Sequence, residues 1–240
     1  MVRLRGDGGF TLVEALVAIA IVGVTAAMIP PIVTLSVAAR AQNQRVEQAT
    51  RLAQGHLDLV RLRMERGFAG QSPSAFIADI DRLAPLEGGT SVEEVQPPAA
   101  NLLRTARFCD LTNPTNPVGP PCRVDIDRDG QADFGLQAFR ICQQTNPANG
   151  VPISFVLGVR VYPRAVVQGT YQGPLGIYPS QARLGAPETA SNPLAVQYSA
   201  VFFPDSTLSL ESLRRTVGAR STSCGGNNPP NGGGGDNQPQ

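Results

Sequence analysis

The side chains of this sequence whose types and spacing could do chemistry form three sets: an aspartate-rich loop, four cysteines and one glutamate inside an apolar run. The loop, DIDRDGQAD over 125–133, has acids at its positions 1, 3, 5 and 9 and Gly130 at position 6. A glycine there lets the chain turn sharply and direct several carboxylates to one point, as Ca²⁺ requires. Position 12, a bidentate Glu in an EF-hand, is Leu136. The pattern predicts either an Asp-rich solvated turn or a Ca²⁺ site with these ligands: Asp125, Asp127, Asp129 and Asp133.

The four cysteines all follow the apolar run, in the part of the chain expected to be exported. An even number of cysteines in an exported domain favours disulfides, and the absence of any C-x-x-C pair excludes a zinc ribbon. Among the possible connectivities we favour Cys109 with Cys122, which closes a Pro-rich loop. The second pair is then Cys142 with Cys224, which ties the C-terminal region to the sheet.

Glu14 is the only charged residue in FTLVEALVAIAIVGVTAAMI, residues 10–29. A helix of this length rises about 30 Å, so the segment is predicted to span a bilayer. A carboxylate in hydrocarbon costs about 2.5–3.5 kcal/mol and needs a partner or a functional reason. Cleavage after Gly9 would supply one, because Phe10 would then carry a free ammonium group near Glu14. Alternatively, Glu14 is a first-turn acid at the membrane interface with no further role.

The composition excludes several classes of function. All 20 basic residues are Arg, and against 19 acids they leave a net charge of +1, which gives no general attraction to nucleic acid. His56 is the only histidine, and no nucleophile elbow, phosphate loop or zinc signature accompanies it. We therefore predict that the protein is not an enzyme, that it has no catalytic residues and that His56 is structural.

Three helical patterns and three strand patterns must position these residues. Pro30 and Pro31 predict that the first helix kinks or melts near residues 26–31. An apolar stripe then predicts an amphipathic helix over 38–66 that packs on the domain's own sheet and ends at Gly67; its members are Val46, Ala49, Ala53, Leu57, Val60 and Met64.

Further along, a short helix is predicted over 74–83, with Ser72 and Pro73 as its cap. Residues 135–142, 153–162 and 196–203 read as strands of an antiparallel sheet. The loop over 163–193 is expected to be an ordered excursion or a variable surface. The tail over 225–240 has no apolar residue and is predicted to be disordered.

The segment GFTLVEALVAIAIVG, residues 9–23, resembles the class III leader junction and hydrophobic helix of type IV prepilins and of the pseudopilins of type II secretion. The resemblance implies that prepilin peptidase cuts between Gly9 and Phe10, that Phe10 becomes N-methylated, and that Glu14 registers the subunit in a filament. It implies four partners: prepilin peptidase, other pilins or pseudopilins, an inner-membrane assembly platform and membrane lipid.

A finer resemblance involves residues 30–61, 124–140 and 157–165. These segments are similar to pseudopilins linked to hormogonium polysaccharide secretion in filamentous cyanobacteria. That similarity implies a minor subunit that supports polysaccharide secretion and motility.

Together these observations predict a pilin-like α+β fold in which a long N-terminal helix packs on an antiparallel sheet. We expect a leader over 1–9, a transmembrane and filament-core helix over 10–37, an amphipathic helix over 38–66, an exported α+β domain over 67–224 and the tail. The protein would be single-pass in the plasma (inner) membrane, with its domain in the periplasm or on an assembled pilus. Two alternatives are a pilin-anchored adhesin or ligand-binding module that uses loop 163–193 or the tail, and, least favoured, a membrane-anchored hydrolase.

Overall fold

The computed structural model of the protein describes residues 11–67, 70–89, 91–110, 118–180 and 191–203, and the side chains of 27–35 are left out of the description. Several predicted features lie outside these ranges: the leader over 1–9, Phe10, Cys224 and the tail over 225–240.

The first helix, α1, runs from Leu12 to Arg66 as one element of 55 residues. Its backbone stays helical through Pro30 and Pro31, so of the two predicted outcomes local melting does not occur, and the kink stays a prediction. The φ angle of proline, about −65°, is already helical, and each proline removes one hydrogen bond from a ladder that continues on both sides. Gly67 ends the helix with φ +56°, as predicted.

Among the side chains that the model describes, no helix is both long enough and apolar enough to cross a membrane. The predicted span over 10–29 includes residues outside that description.

The chain divides into two compact units, and the boundary within α1 lies between Arg45 and Val46. In the first unit, the described residues are the N-terminal part of α1. The second unit contains the rest of α1, the sheet and three short helices: α2 Pro73–Leu83, α3 Ala100–Thr105 and α4 Arg164–Val167. The predicted helix over 74–83 is confirmed as α2, and Ser72 caps it by accepting a hydrogen bond from Ala75 N.

Four antiparallel strands form the sheet in the order β1-β2-β3-β4: Cys122–Val124, Phe134–Thr145, Pro152–Tyr162 and Ala195–Phe202. The three predicted strands are confirmed as β2, β3 and β4, and with them the α+β fold. The sequence patterns missed β1, because three residues are too few to show alternation.

The two faces of the sheet are covered differently. On the first face, the stripe of α1 packs into the main core with the alternating apolar residues of β2 and β3, which confirms the predicted packing; the buried members of the stripe are Ala49, Ala53, Leu57, Val60 and Met64. On the second face, Val92 and Val95 pack on Phe139 and Ile141 of β2. These two valines belong to residues 91–99, which we call the strap.

Candidate functional site

The first turn of α1 contains the candidate assembly residue Glu14. The backbone N–H of Glu14 donates to Thr11 Oγ1 at 3.3 Å, and Ala15 N–H donates to the carbonyl of Thr11 at 3.1 Å. Thr11 is therefore the N-cap of α1, a role that the sequence reasoning missed. The signal was present, because Thr-x-x-Glu is the pattern of a capping box. Gly9 and Phe10, the candidate cleavage and methylation residues, lie outside the described ranges.

Beyond this turn, the N-terminal part of α1 is apolar on all sides and exposed in the single chain. Eight large side chains between positions 12 and 24 have exposed fractions of 52–77%: Leu12, Val13, Leu16, Val17, Ile19, Ile21, Val22 and Val24. At 100° per residue these positions cover the full circumference of the helix. A helix that is hydrophobic all round is stable when it is buried, either in a larger protein assembly or in a membrane.

The aspartate loop connects β1 to β2. Oxygen atoms of Asp125, Asp127 and Asp133 lie within 4.8 Å of one another, so three of the four predicted ligands converge. Asp129 is not part of this group, and its Oδ1 instead accepts a hydrogen bond from Gln131 N at 2.7 Å. Gly130 has φ +85°, which provides the predicted sharp turn.

Backbone N–H groups already organise this loop. Asp125 accepts hydrogen bonds from Arg128 N at 2.6 Å and Gly130 N at 2.9 Å, and Asp133 accepts one from Ile126 N at 3.0 Å. These bonds hold the carboxylates in place, and the loop is a formed turn. The arrangement also brings three carboxylate oxygens close together. Such a group of hard oxygen ligands suits a Ca²⁺ ion, which would take its remaining ligands from water and backbone carbonyls.

The pKa of Asp127 is raised in this loop. The hydrogen bond from Asp129 N–H lowers the pKa of Asp127, but desolvation and the nearby carboxylates of Asp129 and Asp133 act in the opposite direction and leave it raised. A cation between the carboxylates would relieve this repulsion.

The cysteines fit the disulfide prediction as far as the described residues reach. Cys109 and Cys122 are bonded, which confirms the predicted pair that closes the Pro-rich loop. Cys142 is also disulfide-bonded. Its predicted partner, Cys224, lies outside the description. Cys142 lies at a β-bulge in β2, where the pairing with β3 shifts register, and has φ +56°.

His56 lies on α1 and is buried against the end of α2. Its Nε2 lies 2.9 Å from the carbonyl oxygen of Leu83, and burial lowers the pKa of the imidazole to about 4, an effect that this hydrogen bond partly offsets. The ring is neutral at physiological pH, and its position within the core agrees with the predicted structural role.

The described part of the loop over 163–193 is ordered. It begins with α4, and Tyr162 OH donates to the carbonyl of Gly176 at 3.1 Å. Gly176 N and Ser180 N donate to the carbonyls of Ser191 and Pro193. Of the two expectations for this loop, the ordered excursion is the one that the hydrogen bonds support, and residues 181–190 lie outside the description.

Comparison with known proteins gives one match, and it covers the N-terminal segment. Residues 4–30 match the family model of the prokaryotic N-terminal methylation motif. No curated protein and no solved structure matches the chain, so the finer resemblance to hormogonium polysaccharide pseudopilins is unsupported. The motif favours a structural subunit over an enzyme and implies, in general, processing by prepilin peptidase and assembly with other pilins. The matched residues are similar to the N-terminal segment of type IV pilin-like prepilins.

Proposed function

We propose that this chain is a minor pilin or pseudopilin subunit of a type IV pilus-like or type II secretion-like machine. In this proposal prepilin peptidase cuts after Gly9, Phe10 is N-methylated, and the helix that follows anchors the chain in the plasma (inner) membrane before assembly. The all-round apolar, exposed surface of α1 over 12–24 supports the proposal, because such a surface requires a covering. Within a filament, the equivalent helices of neighbouring subunits would provide it.

Glu14 is the residue on which the assembly step depends. It is the only acid in the apolar segment, and Thr11 caps the helix turn from which it projects. The ammonium group that cleavage would create on Phe10 of the same or a neighbouring subunit is a suitable partner for this carboxylate. From the sequence resemblance, we also propose that the subunit supports polysaccharide secretion and motility.

The test is processing and incorporation of the full chain in cells that have prepilin peptidase and a pilus-like machine. We expect mass spectrometry to find a mature chain that begins at methylated Phe10. We expect Glu14→Ala to abolish recovery of the subunit in sheared filaments, while Glu47→Ala, which removes an exposed acid paired with Arg51 on the same helix, assembles normally. A chain that is not cut after Gly9, or a Glu14→Ala variant that assembles like the parent, contradicts the proposal.

We also propose that the aspartate loop binds Ca²⁺ through Asp125, Asp127 and Asp133. The support is the convergence of their oxygens within 4.8 Å and the raised pKa of Asp127 beside its acidic neighbours. The hydrogen bonds from the loop's own N–H groups already hold Asp125 and Asp133 in place, so ordering the ligands costs little when the ion binds.

Calorimetric titration of the chelator-treated full chain with Ca²⁺ tests this proposal. We expect saturable heat from the parent and its loss in Asp127→Ala, because the ion then lacks one of three converging carboxylates. The matched control is Asp129→Ala, which removes an acid of the same loop that lies outside the group and should retain binding. Absence of heat in the parent, or equal loss in both variants, rules out the three-carboxylate site.

A further inference from the structure

We propose that Asn149 is a site of spontaneous deamidation, at which the chain converts its own asparagine into aspartate and isoaspartate. Asn149 and Gly150 lie in the turn that joins β2 to β3, and both are exposed. The reaction needs attack by the backbone nitrogen of the following residue on the side-chain carbonyl carbon. Three features decide whether this happens: the residue that follows, the freedom of the backbone and the groups around the side-chain oxygen.

Among the asparagines that the structure describes, only Asn149 is followed by a residue suited to this attack. Asn146 and Asn192 each precede a proline, which has no N–H to lose. Asn43 and Asn101 lie inside α1 and α3, where the helix would first have to open. Gly150 has no Cβ to crowd the closing ring, and its φ of +71° is one that glycine adopts without strain.

The surroundings of the Asn149 side chain favour the reaction. Its Oδ1 accepts a hydrogen bond from Val151 N at 3.1 Å, which forms an Asx-turn. Negative charge develops on this oxygen when the nitrogen adds to the carbonyl carbon. An N–H donor already directed at it stabilises the tetrahedral intermediate, as the donors of an oxyanion hole do.

One hydrogen bond slows the reaction in the folded chain. Gly150 N–H donates to the carbonyl of Asn146 at 2.8 Å, and this bond must open before the nitrogen can lose its proton. Exposed loop tips open at low free-energy cost. Conversion of the folded chain is therefore slower than conversion of the unfolded chain, but it is not abolished.

The atoms balance with water as the only co-reactant. A bond forms between Gly150 N and Asn149 Cγ while the bond from Cγ to Nδ2 breaks, and the amide leaves as ammonia with the backbone proton. Water then opens the cyclic imide at either carbonyl. Both products place a new carboxylate at the tip of the β2–β3 hairpin, and isoaspartate also reroutes the backbone through the former side chain.

The test is peptide mapping of the purified full chain in detergent after ageing at mildly alkaline pH, with isoaspartate and aspartate peptides separated by chromatography. We expect Asn149 to gain one mass unit progressively, assigned by fragment ions that separate it from Asn146 in the same peptide, and faster than Asn43, Asn101 and Asn192 do in theirs. Asn149→Gln should remove the gain at this position, and denaturation of the parent should accelerate it. No gain at Asn149 in the folded chain, whatever the denatured chain does, overturns the proposal.

Discussion

Arg160→Met should lower the free energy of unfolding by about 3 kcal/mol, although the substitution preserves most of the side chain's length. Arg160 is fully buried on the second face of the sheet. Its Nη1 donates to the carbonyl of Val95 and its Nη2 to that of Val92, each at 2.9 Å. The guanidinium group also lies 4.7 Å from the centre of the Phe139 ring.

The expected loss is large because the acceptors cannot be removed together with the donor. Replacing both members of a buried polar pair by apolar groups can be neutral, but here the acceptors are backbone carbonyls of the strap, which remain in place. Methionine would leave them buried without donors, and each such group costs about 1–3 kcal/mol. The relief from no longer burying a charge offsets part of this cost.

Urea unfolding of the full chain in detergent, followed by the near-ultraviolet circular dichroism of its tyrosines, measures this effect. Arg164→Met is the matched control: its guanidinium is exposed and donates to Gln131 Oε1, so the change should stay within about 0.5 kcal/mol. Hydrogen exchange should show faster exchange in the strap of Arg160→Met only. An unchanged unfolding midpoint for that variant would show that the strap does not depend on Arg160.

Gly158→Ala should also destabilise the protein by about 2–3 kcal/mol, although it adds a single methyl group. Gly158 pairs with Phe139 across β2 and β3. A Cβ on Gly158 would lie 2.4 Å from Phe139 Cζ and 2.6 Å from Cε2. The ring cannot tilt away freely, because Arg160 lies over it and Tyr198 packs against it at a centroid distance of 6.5 Å.

Two further variants make this prediction specific. Gly55→Ala should stabilise the protein by up to about 1 kcal/mol, since a Cβ there would have no atom within 4 Å apart from its chain neighbours and the adjacent backbone of the helix, and alanine is the better helix former. In a background of Phe139→Ala, the penalty of Gly158→Ala should largely disappear, because the clashing ring is gone. Additive penalties in that double-mutant cycle would mean that the clash is not the cause.

Local patterns predicted the elements whose signals repeat along the chain. The stripe of α1 needs only its helical period, and β2, β3 and β4 each have enough residues to show strand character. The cap at Ser72 and the turn at Gly130 follow from a few neighbouring residues. The N-terminal motif is similar in kind, because the match over residues 4–30 depends on the order of residues along the chain. In each case the signal in the sequence lies within a short stretch of neighbouring residues.

The patterns failed where the partners are distant in sequence. From the sequence, Arg160 would be expected at the surface, because arginine is almost never fully buried unless it is paired. In the structure it is paired, but its carbonyl partners are 65 and 68 residues away, so no local pattern indicates them. The same is true of Arg140, which is buried beside Asp81 of α2. Four acids in the aspartate loop looked equivalent, and only the folded turn separates Asp129 from the three that converge.

Order along the chain alone therefore determined the leader motif, the helix that follows it and the strands of the sheet, because their signals are local. Folding determined which charges are buried, which carboxylates meet and which glycine lies against an aromatic ring. These features depend on chain segments that come into contact only when α1 and the strap cover the two faces of the sheet.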